Sequence, residues 1–118
     1  MIDISIIITI IYSSPVPARS PDNVTASASS STTIEVTWDI VPLIHQNGII
    51  TVYKVLYQPL ETFDGVIMTQ TINFTVMSAN LTDLEEFVNY TISVRAYTTV
   101  GAGNYNEEVT VMTPEDSK

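Results

Sequence analysis

Cysteine is absent from this chain, which removes any disulfide framework and any thiolate metal site. Basic residues are nearly absent too: Arg19, Lys54, Arg95 and Lys118 stand against 13 Asp and Glu, for a formal net charge of -9 and a pI near 4.1. Binding to nucleic acid or to anionic lipid needs clustered Lys and Arg, so four scattered bases argue against both partners. The acids are no better organised. Glu85-Glu86, Glu107-Glu108 and Glu115-Asp116 are the only adjacent pairs, and no spacing resembles an oxygen cage for calcium. Histidine occurs once, at His45, in a predicted loop with neither a second ligand nor a hydrogen-bonding partner for a metal or base role. Long hydrophobic runs are missing as well. The run from Ile4 to Ile11 is too brief to cross a bilayer, so no direct membrane insertion is expected. At 118 residues the chain fits one compact domain and excludes a two-domain enzyme.

What the chain has is β-branched residues. Val, Ile and Thr make up 44 positions against 29 for Ala, Leu, Met, Glu, Gln, Lys and Arg together, which favours a pleated surface over helices. From Asp22 onward, short alternating runs are separated by turn signals. Val24, Ala26 and Ala28 alternate with Thr25 and Ser27; Ile34, Val36 and Trp38 alternate with Glu35, Thr37 and Asp39. After Pro42 and a turn at Asn47-Gly48, the run Ile49 to Gln58 carries Tyr53, Val55 and Tyr57 on one face and Val52, Lys54 and Leu56 on the other, which predicts a central strand. Val66 to Val76 predicts one or two strands, and Ala79 to Leu84 a short one. Tyr90, Ile92, Val94 and Ala96 then alternate with Asn89, Thr91, Ser93 and Arg95; after the glycines of residues 101–103, Val109 and Val111 complete about seven strands. That count predicts an all-β, seven-stranded, immunoglobulin-like sandwich of two antiparallel sheets.

Residues 1–20 are set apart as a leader. The isoleucine run followed by Val16-Pro17-Ala18 reads as a signal segment with a small-residue cleavage site, although it lacks a basic start. It reads equally as the last strand of a preceding domain followed by a Pro-rich linker over Ser13 to Pro21, or as a leader without a role. Residues 21–114 then form the domain, and residues 115–118 a tail.

The order of motifs over roughly Pro21 to Thr113 resembles a fibronectin type III domain. Pro21-Asp22-Asn23-Val24 resembles the family's opening Pro-x-x-Val, and Trp38 stands where the second strand carries its core tryptophan. Tyr53-Lys54-Val55-Leu56-Tyr57 resembles the third strand's Tyr-x-Val-x-Tyr. Leu84, followed six residues on by Tyr90-Thr91-Ile92-Ser93-Val94, resembles the Leu and tyrosine-corner strand. The resemblance implies a core signature of Trp38, Tyr53, Val55, Tyr57, Leu84, Tyr90, Ile92 and Val94. Two departures, Glu86 for a usual Pro and Val88 for a usual Thr, imply a looser corner. No Arg-Gly-Asp lies between Thr98 and Asn104, and the paired cysteines and Trp-Ser-x-Trp-Ser of cytokine receptors are missing.

Asn-x-Ser/Thr sequons occur at Asn23, Asn73, Asn80 and Asn89, which is four of the seven asparagines and makes these the glycosylation candidates. Parity puts Asn23, Asn80 and Asn89 on outward faces. No catalytic residue is expected: the serines from Ser27 to Ser31 lack a nucleophile elbow, and no Lys-Ser or helix start follows Gly101-Ala102-Gly103 to make a phosphate loop. No cofactor and no metal are expected either. Val52 and Leu56, beside Arg95 and Tyr97 on the neighbouring strand that the family topology implies, are expected to form a partner surface. The resulting expectation is a non-catalytic extracellular interaction or spacer module of an adhesion or receptor protein, similar to those of receptor-type tyrosine phosphatases. Its partners are another protein or neighbouring domains. The alternatives are a spacer in an intracellular filament protein and an accessory module of a secreted enzyme.

Overall fold

Successive side chains along a strand point to opposite faces, so alternating residues withdraw one face of each strand from water and leave the other wet. The computed structural model describes residues 16–17, 20–42, 46–61, 66–103 and 108–115. Within them run β1 (Asp22–Ser30), β2 (Thr33–Asp39), β3 (Val52–Pro59), β4 (Met68–Asn73), β5 (Ser78–Leu81), β6 (Asn89–Tyr97) and β7 (Val109–Met112). All pairings are antiparallel. One sheet has the order β1-β2-β5 and the other β4-β3-β6-β7. The all-β two-sheet sandwich expected from the alternation is the observed architecture, and β3 is central, as its two apolar faces imply.

Between the sheets lie Ile34, Val36 and Trp38 of β2, Tyr53 and Val55 of β3, Ala79 and Leu81 of β5, and Tyr90, Ile92, Val94 and Ala96 of β6. Val41, Ile50 and Leu84 close the core from the loops. Each large aliphatic side chain withdrawn from water in this way contributes about 1.5–3 kcal/mol. Trp38 meets Tyr53 edge to face, with ring centroids 5.4 Å apart and planes inclined by 61°. That is a favourable arrangement of two ring quadrupoles.

Strand limits differ from the alternation in three places. β3 starts at Val52, not Ile49, because Ile49 stands 77% exposed outside the ladder while Ile50 turns into the core. The stretch from Val66 to Val76 yields one strand, since the chain turns after Asn73 with a bond from Val76 N to Asn73 O at 2.9 Å. β5 ends at Leu81 because Asp83 takes a left-handed φ of 60°, which no strand accommodates; Leu84 enters the core from a loop.

The chain enters the sandwich at one end and leaves at the other. At the first end Pro17 is buried against Gly103, where an added Cβ would lie 2.7 Å from Pro17, and Asn47 Nδ2 donates to Val16 O at 3.1 Å. At the opposite end Tyr90 Oη accepts a bond from Glu85 N at 2.9 Å, so the tyrosine corner is closed despite Glu86 and Val88. A residue outside the motif tightens it: Thr113, fully buried, donates from Oγ1 to Glu85 O at 2.7 Å and accepts from Val88 N at 3.0 Å.

Candidate functional site

The outer face of the four-stranded sheet is assembled by the register of β3 with β6. Val52 lies opposite Tyr97, Lys54 opposite Arg95 and Leu56 opposite Ser93, so the four residues expected to form a partner surface share one face. Their inward neighbours Tyr53, Val55, Val94 and Ala96 are core residues, and this parity turns Val52, Lys54, Leu56, Arg95 and Tyr97 outward, where each is half-buried. Lys54 Nζ stands 4.8 Å from the centroid of the Tyr97 ring, a cation held over a π face. Two of the chain's four bases are thus directly opposed at the middle of one face of an otherwise acidic molecule. Like charges placed opposite each other weaken a sheet.

Beside Leu56 the same face holds a recess of about 140 Å³ lined by Leu56, Gln58, Ile67, Thr91, Ser93 and Glu108. Pockets for small-molecule ligands run to roughly 300–1,000 Å³, so this one has room for a single side chain. A second recess of about 270 Å³, lined by Ile40, Ile49, Ile50, Tyr53 and Phe74 among others, opens at the end of the sandwich where the chain enters. No group of three or more metal-ligating side chains occurs among the described residues. His45 lies outside them. No helix among them is long and apolar enough to cross a membrane.

The four sequon asparagines are all exposed. Asn23, at a break in the register of β1, takes a left-handed φ of 51° and donates from Nδ2 to Asp39 Oδ2 at 2.7 Å. Asn80 lies in β5 opposite Glu35, and Asn89 begins β6 opposite Met112. Asn73 ends β4 opposite Val52, with Oδ1 accepting from both N and Oγ1 of Thr75 at 3.0 Å. The core signature falls inside: Trp38, Tyr53, Val55, Leu84, Tyr90, Ile92 and Val94 are buried, and Tyr57 is half-buried against them. Burial pushes the Tyr53 phenol up from its ordinary pKa of 10.0, and the Tyr57 phenol too, with Tyr90 and Asp83 adding to the latter. Sequence reasoning missed Thr113, whose partners lie 25 and 28 residues away, and it left Lys54 out of the partner surface, where only the β3 with β6 register shows it beside Arg95 and Tyr97.

Comparison with known proteins fits this geometry. The chain is 38% identical over 103 residues to Protein sidekick of Drosophila melanogaster and 39% identical over 101 residues to Tyrosine-protein phosphatase Lar of the same organism. It is 32% identical over 106 residues to Cell adhesion molecule Dscam2, also from Drosophila melanogaster. Each match covers 86% of this chain and 5% of the relative, so the chain corresponds to a small part of much longer proteins. Among solved structures, the third fibronectin III domain of human KIAA0343 protein superposes with a TM-score of 0.81 at 28% identity, covering 91% of both chains. The model of the fibronectin type III domain matches residues 19–112, and the chain belongs to that family.

Proposed function

We propose that this chain is a non-catalytic, extracellular recognition and spacing module of a cell-surface adhesion or receptor protein, with residues 21–114 as the module, 1–20 as leader and 115–118 as tail. Its contact surface is the outer face of the four-stranded sheet. The observation that carries the proposal is the meeting of Val52, Lys54, Leu56, Arg95 and Tyr97 on adjacent central strands, an apolar and basic patch on a chain of net charge -9. Partly apolar ground rimmed by polar side chains marks protein contact surfaces, and the recess beside Leu56 accepts one anchoring side chain from a partner protein or a neighbouring domain. Relatives that are named as a cell adhesion molecule and as a tyrosine phosphatase support the same setting, the catalytic work of the latter lying in other parts of those longer chains. Glycosylation at one or more of Asn23, Asn73, Asn80 and Asn89 fits passage through the secretory pathway.

Expression with the native leader in a secreting eukaryotic cell tests the location. Intact mass, before and after enzymatic removal of N-glycans, is expected to show secreted protein that loses glycan mass. Unglycosylated protein kept in the cell with Met1 intact favours the intracellular spacer class or a piece of a longer protein whose signal lies upstream. The surface has its own test. Leu56→Glu is expected to leave the melting temperature nearly unchanged and to weaken attachment of the labelled chain to partner-bearing cells about tenfold or more, the loss of one anchor of ~1.4 kcal/mol. Unchanged attachment removes the surface.

A further inference from the structure

An exposed sheet edge is a template for another strand, and folded proteins blunt such edges with charge, proline, bulges or short length. Among the described residues the two sheets end in four edge strands, β1, β5, β4 and β7. Three of them are blunted. β1 follows Pro21 and breaks register twice. β5 and β7 have four residues each, and β7 is flanked by Glu108 and Pro114. β4 has none of these devices. Its six pairs with β3 run from Met68 to Asn73 without a shift, and from Val66 to Thr82 the sequence holds no charged residue and no proline. Val66, Ile67, Phe74 and Val76 flank it and are exposed. An uncharged, proline-free segment rich in β-formers is the composition that drives strand-to-strand association.

Asn73 stands at the end of this edge. Its carboxamide oxygen takes both bonds from Thr75, and its Nδ2 has no hydrogen-bond partner among the described residues, whereas Asn23 commits Nδ2 to Asp39. Asn80 and Asn89 belong to other strands, opposite Glu35 and Met112. We propose that Asn73 carries an N-linked glycan that shields the β4 edge from pairing with a second chain. The inference rests on the secretory-pathway reading given above. In the transfer, Nδ2 loses one proton and bonds to the anomeric carbon of an oligosaccharide, while the bond from that carbon to a lipid-diphosphate leaving group breaks and the diphosphate departs with the electron pair. The carboxamide oxygen and one N–H remain. The bulky, hydrated sugar, rooted on the outer face at the end of β4, then crowds the approach of an incoming strand to that edge.

The test directs the whole chain into the secretory pathway of a eukaryotic cell with an added cleavable signal, so occupancy is read independently of natural routing. Peptide mass spectrometry is expected to find Asn73 glycosylated. Sedimentation over about a hundredfold range of concentration is expected to show a monomer, while Asn73→Gln and Thr75→Ala, both lacking the sequon, associate as concentration rises. Thr75→Ala keeps the Asn73 side chain and guards against a folding defect particular to Asn73→Gln. Adding Thr71→Glu, opposite Lys54, to either variant is expected to restore the monomer, a charge on the edge replacing the sugar. An unoccupied Asn73 overturns the site. An occupied Asn73 with both sequon variants monomeric at every concentration overturns the shielding. Neither result decides whether the protein naturally enters the secretory pathway, which the native-leader experiment reads.

Discussion

At Trp38 the core has its largest ring and one unmet polar group. The indole packs edge-on against Tyr53, yet its Nε1 has no hydrogen-bond partner among the described residues. Trp38→Ala leaves a cavity and is expected to cost about 3–5 kcal/mol. Trp38→Phe keeps much of the apolar contact and deletes the unmet donor, so it is expected to cost no more than about 2 kcal/mol. Urea unfolding of both variants checks the pair; equal losses refute the account. Such inward residues were legible from alternation alone, because Ile34, Val36 and Trp38 sit on one parity and Glu35, Thr37 and Asp39 on the other. Thr113 was not legible. It is buried for its hydroxyl, by carbonyl and amide groups of the corner loop, and no local pattern around residue 113 encodes those distant partners.

The corner between β5 and β6 shows at the scale of elements how one interaction stands in for another. Missing the Pro and Thr common at positions 86 and 88, the loop is held by Tyr90 Oη to Glu85 N and by Thr113 to Glu85 O and Val88 N. Thr113→Val keeps the shape and removes the hydroxyl, leaving two corner groups unbonded. The expected cost is about 2 kcal/mol. Amide exchange should quicken at Val88, and exchange confined to the chain after β7 would contradict the clamp. Strand limits were the least legible elements, for a physical reason. Phe74 and Val76 are apolar but exposed, so apolarity alone extends a strand past the turn at Asn73. At residues 79–84, the left-handed backbone of Asp83 separates Leu84 from the strand although both Leu81 and Leu84 are buried. The outer face of β3 and β6 was half legible. Parity gave Val52, Lys54 and Leu56 as one face, family topology supplied Arg95 and Tyr97, and only the register set Lys54 opposite Arg95.

Over the whole molecule, proton linkage at the two raised tyrosines predicts an alkaline limit to stability. Burial is the leading cause of the raised pKa for both Tyr53 and Tyr57, so the folded state keeps neutral phenols that the unfolded chain ionises near 10.0. The contribution is complete below that pH and is lost as pH rises through the higher folded values. Unfolding midpoints in urea are therefore expected to hold steady up to about pH 9.5 and to fall above it, less steeply for Tyr57→Phe. An identical fall in that variant removes Tyr57 from the explanation. The placement of Pro17 and Thr113 has a mechanical consequence. Pro17 is seated against Gly103 at one end of the sandwich and Thr113 against Glu85 at the other, so a pull between them runs along the strand axes. Such a pull loads the hydrogen bonds of β1 with β2 and of β7 with β6 in shear, several at once, instead of peeling them in sequence. Rupture under tension follows the unfolding rate, and the sandwich is stiffest along the line that joins its two ends.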